Sequence, residues 1–450
     1  MSKSLSSPHH DGADSYKKYS ALVWLALLTL ALGSYLTGLD NAYIPTNGDE
    51  MVYAHIARLT AASQHWLPLV SELDHMRNTK PPLLFWQAMM AGDWGQRWQL
   101  WALRLPSVFY TLLTAGAVAA TVQRITRRRG QACLAACLFL AFFSAFRYGR
   151  PFLTSAPETF WLGLPMLVLL WHRREVADEA PGWGVHLGLG LALGLGLAYK
   201  SFALIAPAGA AYGLALVLSA GQMNGRLATQ AVLKTGFSTL VALAVFALWF
   251  ALDPDPAAVW QEFVVGENAG KLSSPDGYWK QALALSGGSV WVQLLAYAQN
   301  AGLLAFVVLG LGVAGLARLR RGHFGQPIEA HVRILLIWLA VWLLVFTLPS
   351  QRSARYVIPA MPALAMLLAL GWQRIGRAWF IACLALSGLL LLGLGRIAWV
   401  MHGFGIASAG EVTLALALTA WGGAAVLVGL AGKAHTRTAC LAAALAVYAV

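Results

Sequence analysis

Apolar residues run along this chain in long unbroken stretches, separated by short polar connectors and by two long ones. The stretches lie near Tyr19–Gly38, Leu100–Val122, Gln131–Phe146, Phe152–Trp171, Gly184–Tyr199, Phe202–Ala220 and Ala231–Leu252. After the second long connector come Val290–Ala317, Ile334–Leu348, Tyr356–Leu370, Trp379–Leu394, Val412–Leu430 and Ala439–Val450. A bilayer-spanning helix needs about 20 apolar residues, and most of these stretches approach that length. The pattern predicts an all-α polytopic membrane protein with about 13 transmembrane helices. The long connectors, residues 39–99 and 253–288, are polar and aromatic. Residues 1–18 are polar and end in Lys17-Lys18; no small-residue cleavage site closes the run that follows. They read as a cytoplasmic tail ahead of an uncleaved first helix, and residues 19–450 as one transmembrane domain.

Composition sharpens this picture. The 450 residues are 58% apolar and 11% charged, whereas a soluble domain carries about 25% charged residues. That excludes a soluble enzyme, a disordered protein and a peripheral membrane protein. The net charge of +13 is not a nucleic-acid footprint, because basic residues sit in short connectors such as RITRRR (Arg124–Arg129) and QRIGR (Gln373–Arg377). Of the 32 Lys and Arg, 19 fall on the side of the N-terminus, mostly in short loops, and 13 of the 19 acids fall on the other. Short basic loops stay cytoplasmic, so both long connectors are expected to face outward. The four cysteines (Cys133, Cys137, Cys383, Cys440) all lie inside apolar runs, as core packing would place them. The Gly188–Gly196 stretch, GLGLALGLG, has the small-residue spacing of close helix packing and lacks the strand context of a nucleotide loop.

The outward connectors concentrate the chemistry. Asp49 and Glu50 follow a Pro-x-x-Gly turn, and Tyr53, Ile56, Ala57, Thr60 and Ala61 continue at helical spacing. The two acids therefore open an amphipathic surface helix, where either capping or general-base work accounts for them. Lys80 precedes Pro81-Pro82 at the start of another interfacial segment, a place suited to an anion or to a snorkelling lysine. Glu267, Asn268 and Lys271 fall within one turn if helical, and Arg352, Arg355 and Tyr356 open a Pro-punctuated span. Arginines on the outer side run against the charge rule and point to an anionic ligand, phosphate first. Carboxylates, cations and amphipathic segments on one face suit an enzyme acting on a lipid phosphate better than a transporter, which places ion pairs mid-span.

The order Gly-Asp-Glu, Trp-Leu-x-Pro, Lys-Pro-Pro-Leu and Arg-Leu-Pro-Ser resembles the first outer loop of type-C glycosyltransferases. The matching subset holds bacterial aminoarabinose (lipid A) transferases and protein O-mannosyltransferases. GRPFLTSAPETF, GLAYKSFALIAPAG and FTLPSQRSARYVIPAMPALA are similar to three later motifs of that family, so the likeness runs from about residue 20 to about 370. The resemblance implies sugar transfer from a polyprenyl-phosphate donor to a lipid A-type, other cell-envelope or protein acceptor, on the outer face of the inner membrane. A lipid-linked sugar flippase is the alternative from another class. The resemblance implies Asp49 at the reacting centre, beside Glu50, and Lys80, Lys200, Lys271 and Tyr356 around the donor's lipid phosphate, where the charge pattern also places Arg352 and Arg355. Ser155 stands where the family often has Asp, with Glu158 three residues on, and this group with Glu267 and Asn268 is expected to form an acceptor or second site. Thr79 and Asn268 stand where Glu and His are frequent, a pair able to hold a divalent ion, so neither a metal nor a soluble cofactor is expected. Aminoarabinose transferases usually add a soluble outer domain after the last span. This chain stops at Val450 within an apolar run, so none is expected here.

Overall fold

The computed structural model describes residues 21–41, 48–73, 76–175, 180–220, 225–272, 277–284, 288–320 and 328–450. The expected tail, residues 1–18, lies outside them. Among the described residues no strand occurs, and helices follow the apolar stretches. The first stretch forms α1 (Ala21–Leu36), and the first long connector holds α2 (Gly48–Ala62) and α3 (Leu83–Ala91). Next come α4 (Leu100–Thr126) and the pair α5 (Arg129–Leu140) and α6 (Phe143–Gly149), bent by 59°. Then follow α7 (Ser155–Glu175), α8 (Trp183–Tyr199), α9 (Ile205–Leu218) and α10 (Gly225–Leu252). The second long connector carries a π-helix, Trp260–Asn268, and a 3-10 turn, Ala269–Leu272. Short helices up to Ala301 lead into α11 (Ala305–Arg320) and α12 (Ala330–Val345). A 3-10 turn, Ala354–Ala360, opens α13 (Met361–Gly371), followed by α14 (Arg377–Gly403), α15 (Ala409–Ala431) and α16 (Thr436–Ala449).

Among the described residues, six helical segments are long and apolar enough to cross a membrane, seven if α5 and α6 form one bent span, and five further apolar helices are shorter. Every expected stretch carries helix, but thirteen full crossings are not established by length and composition. The main core is built on α12 and α13, where Trp338, Trp342 and nearly all of Met361–Gly371 are buried. Outward faces of α14 and α15 expose Leu389, Leu392, Trp399, Leu414 and Leu427, which a soluble protein would bury. The Gly188–Gly196 stretch packs as its spacing predicts: a Cβ at Gly190 or Gly194 would sit 2.6 Å from Val241 or Val245 of α10.

A second, smaller core carries the site. Tyr53, Ile56 and Ala57 of α2 and Leu84, Phe85 and Ala88 of α3 pack with Leu103, Phe152, Leu153 and Tyr199. The buried face of α2 is Glu50, Tyr53, Ile56, Ala57, Thr60 and Ala61, the face read from the periodicity. Apolar burial thus docks the two connector helices onto the ends of α4 and α8 and fixes what their first turns present.

Candidate active site

Asp49 and Glu50 leave the first turn of α2 in different directions, because successive residues on a helix lie about 100° apart. Asp49 is 42% exposed at its side chain and accepts a 2.8 Å hydrogen bond from Nη1 of Arg355, which lies in the Ala354–Ala360 turn. One turn further along α2, Tyr53 points into the small core, and Nζ of Lys80 stands 5.8 Å from its ring centre. Lys80 donates to Oε1 of Glu267, on the π-helix, at 2.7 Å and to the carbonyl of Thr79 at 2.7 Å. Lys200, just past α8, reaches both oxygens of Glu158 at 2.9 and 3.0 Å and lies 5.8 Å over the Tyr356 ring. The structure therefore gathers six predicted ionisable residues into three carboxylate–cation pairs, Asp49–Arg355, Glu267–Lys80 and Glu158–Lys200.

Tyr53 links these pairs. The Asp49, Glu267 and Glu158 carboxylates and the Arg355 guanidinium all act electrostatically on its hydroxyl. Burial first, and then the Asp49 charge, hold that hydroxyl far above its ordinary pKa, so it remains a neutral donor. Asn268 accepts from Ser201 Oγ at 2.6 Å and donates to the Phe263 carbonyl at 2.7 Å, tying the π-helix to the turn that carries Lys200. Arg77 bonds Asp255 at 3.0 Å, and the Asn78 N–H donates to Glu262 at 2.9 Å, so the strand of chain before Lys80 is also pinned to the second connector. The Arg77 guanidinium, and then the Ala258 N–H, hold the Asp255 carboxyl below its ordinary range.

Glu50 departs from the expectation of a cap or second catalytic acid. Its side chain is 2% exposed, and Arg104 of α4 binds it in two-pronged fashion at 2.8 and 3.0 Å. Arg104 also donates to the carbonyls of Leu39 and Asn41, while Glu50 accepts from the Phe152 N–H at 2.8 Å. This buried fork joins the end of α1, the start of α2, α4 and the chain entering α7. Arg352 also departs from expectation: it is buried and donates to the carbonyls of Thr347 and Gly288, which shapes its own loop. Ser155 is buried in the first turn of α7, lining a small cavity with Ser144 and Tyr148, while Glu158 one turn on reaches Lys200. The side chain of Lys271 lies outside the described residues. Thr79 and Asn268 bring a hydroxyl and an already bonded amide, a donor set that does not fit a divalent cation.

Sequence reasoning did not single out three contributors. Arg104 opens the Arg-Leu-Pro-Ser motif but was given no role there, although an ionisable residue inside an apolar stretch is itself a signal. Tyr148, 4.7 Å beneath the Arg355 guanidinium, and Ser201 carried no such signal.

Comparison with known proteins gives the family and the fold. Residues 21–262 match the family described as dolichyl-phosphate-mannose-protein mannosyltransferase. An undecaprenyl phosphate-alpha-4-amino-4-deoxy-L-arabinose arabinosyl transferase 1 from Sodalis glossinidius (strain morsitans) is 29% identical over 359 residues, 77% of this chain. The chain spans 58% of the length of that curated relative. The fold is similar to crystal structures of ArnT from Cupriavidus metallidurans bound to undecaprenyl phosphate (TM-score 0.63, 16% identity, 96% of this chain and 77% of that one). It is also similar to the Archaeoglobus fulgidus oligosaccharyltransferase in its apo form (TM-score 0.50, 16% identity, 95% of this chain and 56% of that one). The matched region contains the first connector, α4, Glu158 and Lys200, and on these grounds the chain belongs to the dolichyl-phosphate-mannose-protein mannosyltransferase family, within the type-C glycosyltransferase superfamily that includes ArnT.

Proposed function

We propose that this multi-pass membrane protein transfers a sugar from a polyprenyl-phosphate donor to a glycolipid acceptor on the outer face of the bacterial inner membrane. The observation that carries this reading is the convergence of Asp49–Arg355, Glu267–Lys80 and Glu158–Lys200 around Tyr53. Each cation is held by a carboxylate, so the site is balanced before substrate arrives. A lipid phosphodiester carries one negative charge, and the polyprenyl phosphate released after transfer carries nearly two. Lys80, Lys200 and Arg355 would meet that growing charge, so they stabilise the leaving group more than the bound donor. In the step itself, an acceptor oxygen forms a bond to the anomeric carbon as the bond from that carbon to the phosphate oxygen breaks. With a hydroxyl acceptor, Asp49 takes the proton. With a phosphate acceptor, Asp49 positions the nucleophile and no proton moves. Tyr356, under Lys200, keeps that ammonium directed at the phosphate. Lys271 is a further donor-side cation in this proposal, and Ser155 a polar neighbour on the acceptor side.

The name of the curated relative supports an aminoarabinose donor on undecaprenyl phosphate, and the ArnT structure carries that lipid. Mass spectrometry of lipid A and other glycolipids from a deletion strain tests the proposal. Expression of the intact chain should restore a species heavier by one sugar residue, whereas Asp49→Asn should not. Restoration confined to protein-linked sugars would move the acceptor from lipid to protein, the second reading that the family match supports. No difference in any sugar conjugate would overturn the proposal.

A further inference from the structure

At the far end of α2 from Asp49 lies an open cavity of about 590 Å3. Its walls include Trp66, Trp94 and Trp98, with Arg58, Gln64 and Gln96 between them. None of these belongs to the three charged pairs. At about 1.5 Å of rise per residue, α2 places the cavity roughly 15–18 Å from Asp49. Three indoles beside three polar or cationic side chains is a composition suited to a sugar. The C–H face of a pyranose packs on an aromatic face, and hydroxyl and anionic groups at its edge accept from amide and guanidinium donors.

The indoles are held in place before any ligand arrives. Trp66 meets Trp94 edge to face at 4.3 Å and Trp86 at 5.5 Å, and Trp86 Nε1 donates to the Trp66 carbonyl at 2.8 Å. Trp98 lies on Gly92 and Gly95: a Cβ at either would come within 3.3 Å of its ring or nitrogen. Among the described residues four non-glycine residues have left-handed φ, and two of them, Gln64 and Trp94, line this cavity, with a third, Asp93, next to Trp94 in the chain. Such conformations are costly and concentrate at functional sites. Tryptophans also anchor proteins at the membrane surface. Here, though, Arg58, Gln64 and Gln96 share the same concave wall, and they would be placed in the acyl region if the cavity faced lipid.

We infer that the cavity walled by Trp66, Trp94 and Trp98 binds a pyranose ring carrying an anionic substituent, as a free sugar phosphate or as the head group of a phosphorylated glycolipid. This site holds a saccharide some 15–18 Å from the reacting carboxylate and takes part in no bond-making. Saturation-transfer NMR of glucosamine 1-phosphate with the full chain in phosphatidylcholine nanodiscs tests it. The intact protein and Asp49→Asn should saturate the sugar protons equally, so the result does not depend on the proposed transfer activity. Trp94→Ala and Arg58→Ala should each weaken binding roughly 5-fold. Competition by lipid A in the nanodisc would assign the site to a glycolipid, and its failure to compete would assign it to a free sugar phosphate. A spin label at Gln96→Cys in a cysteine-free chain gives a second readout that does not require Trp94→Ala to fold. That label should be reached by a water-soluble nickel complex. Absent saturation with the intact chain, equal binding by the well-folded variants, or a label reached by oxygen and not by nickel would each overturn the inference.

Discussion

Asp49 and Glu50 are neighbours in sequence with opposite environments, and substituting them separates catalysis from folding. Asp49→Asn removes a charge from a half-exposed pair, which costs stability about 0–1 kcal/mol, yet it takes away the proposed base. Turnover should fall roughly 10²–10⁴-fold while the melting temperature in detergent barely moves; near-normal transfer would remove Asp49 from the reaction. Glu50→Gln instead leaves the Arg104 charge buried without its partner, a loss of about 3–5 kcal/mol. It should therefore melt well below the parent protein and express poorly, and Arg104→Met should do the same. Similar melting by all three variants would refute the anchoring role. Neither difference can be read from the dipeptide. Both acids start the same helix, and only the positions of Arg104, Phe152 and Arg355, remote in sequence, assign one to the core and one to the site.

Helices here owe their contacts to small residues as much as to large ones. Gly190 and Gly194 let α8 approach α10 so closely that any side chain would meet Val241 or Val245. Gly194→Leu should thus separate the two helices, at about 1–3 kcal/mol from overpacking. Because Lys200 directly follows the last residue of α8, the shift would reach the Glu158 pair as well. The expected outcome is a lower melting temperature together with a higher KM for the donor; an unchanged KM would show that α8 moves without carrying Lys200. The glycine spacing was legible in the sequence because close packing needs small residues at every turn. The π-helix at Trp260–Asn268 was not, since no local signal marks the extra residue per turn that brings Glu267 to Lys80.

For the whole molecule, the distribution of basic residues sets the orientation to be tested. In a chain lacking its native cysteines, Ser71→Cys in the first long connector should react with an impermeant maleimide in intact cells, and Arg128→Cys in the RITRRR connector should not. Both positions lie outside the buried core, so a silent Ser71→Cys cannot be blamed on packing alone. Labelling of Arg128→Cys without Ser71→Cys would invert the topology and move the three charged pairs to the cytoplasm.

The sequence alone determined that this is a helical membrane protein with two chemically rich connectors, because bilayer burial demands long apolar runs that composition cannot disguise. It also determined the buried face of α2, since helical periodicity is a local property. The pairing of the charges was decided by the tertiary structure. Lys80 meets a carboxylate 187 residues away and Asp49 an arginine 306 residues away. Separations of that size leave no trace in spacing or composition. The same holds for the distinction between Arg355, which faces Asp49, and Arg352, which is turned into its own loop. The two arginines are three residues apart in the same motif, and only the packing of that loop against its neighbours directs them to different partners.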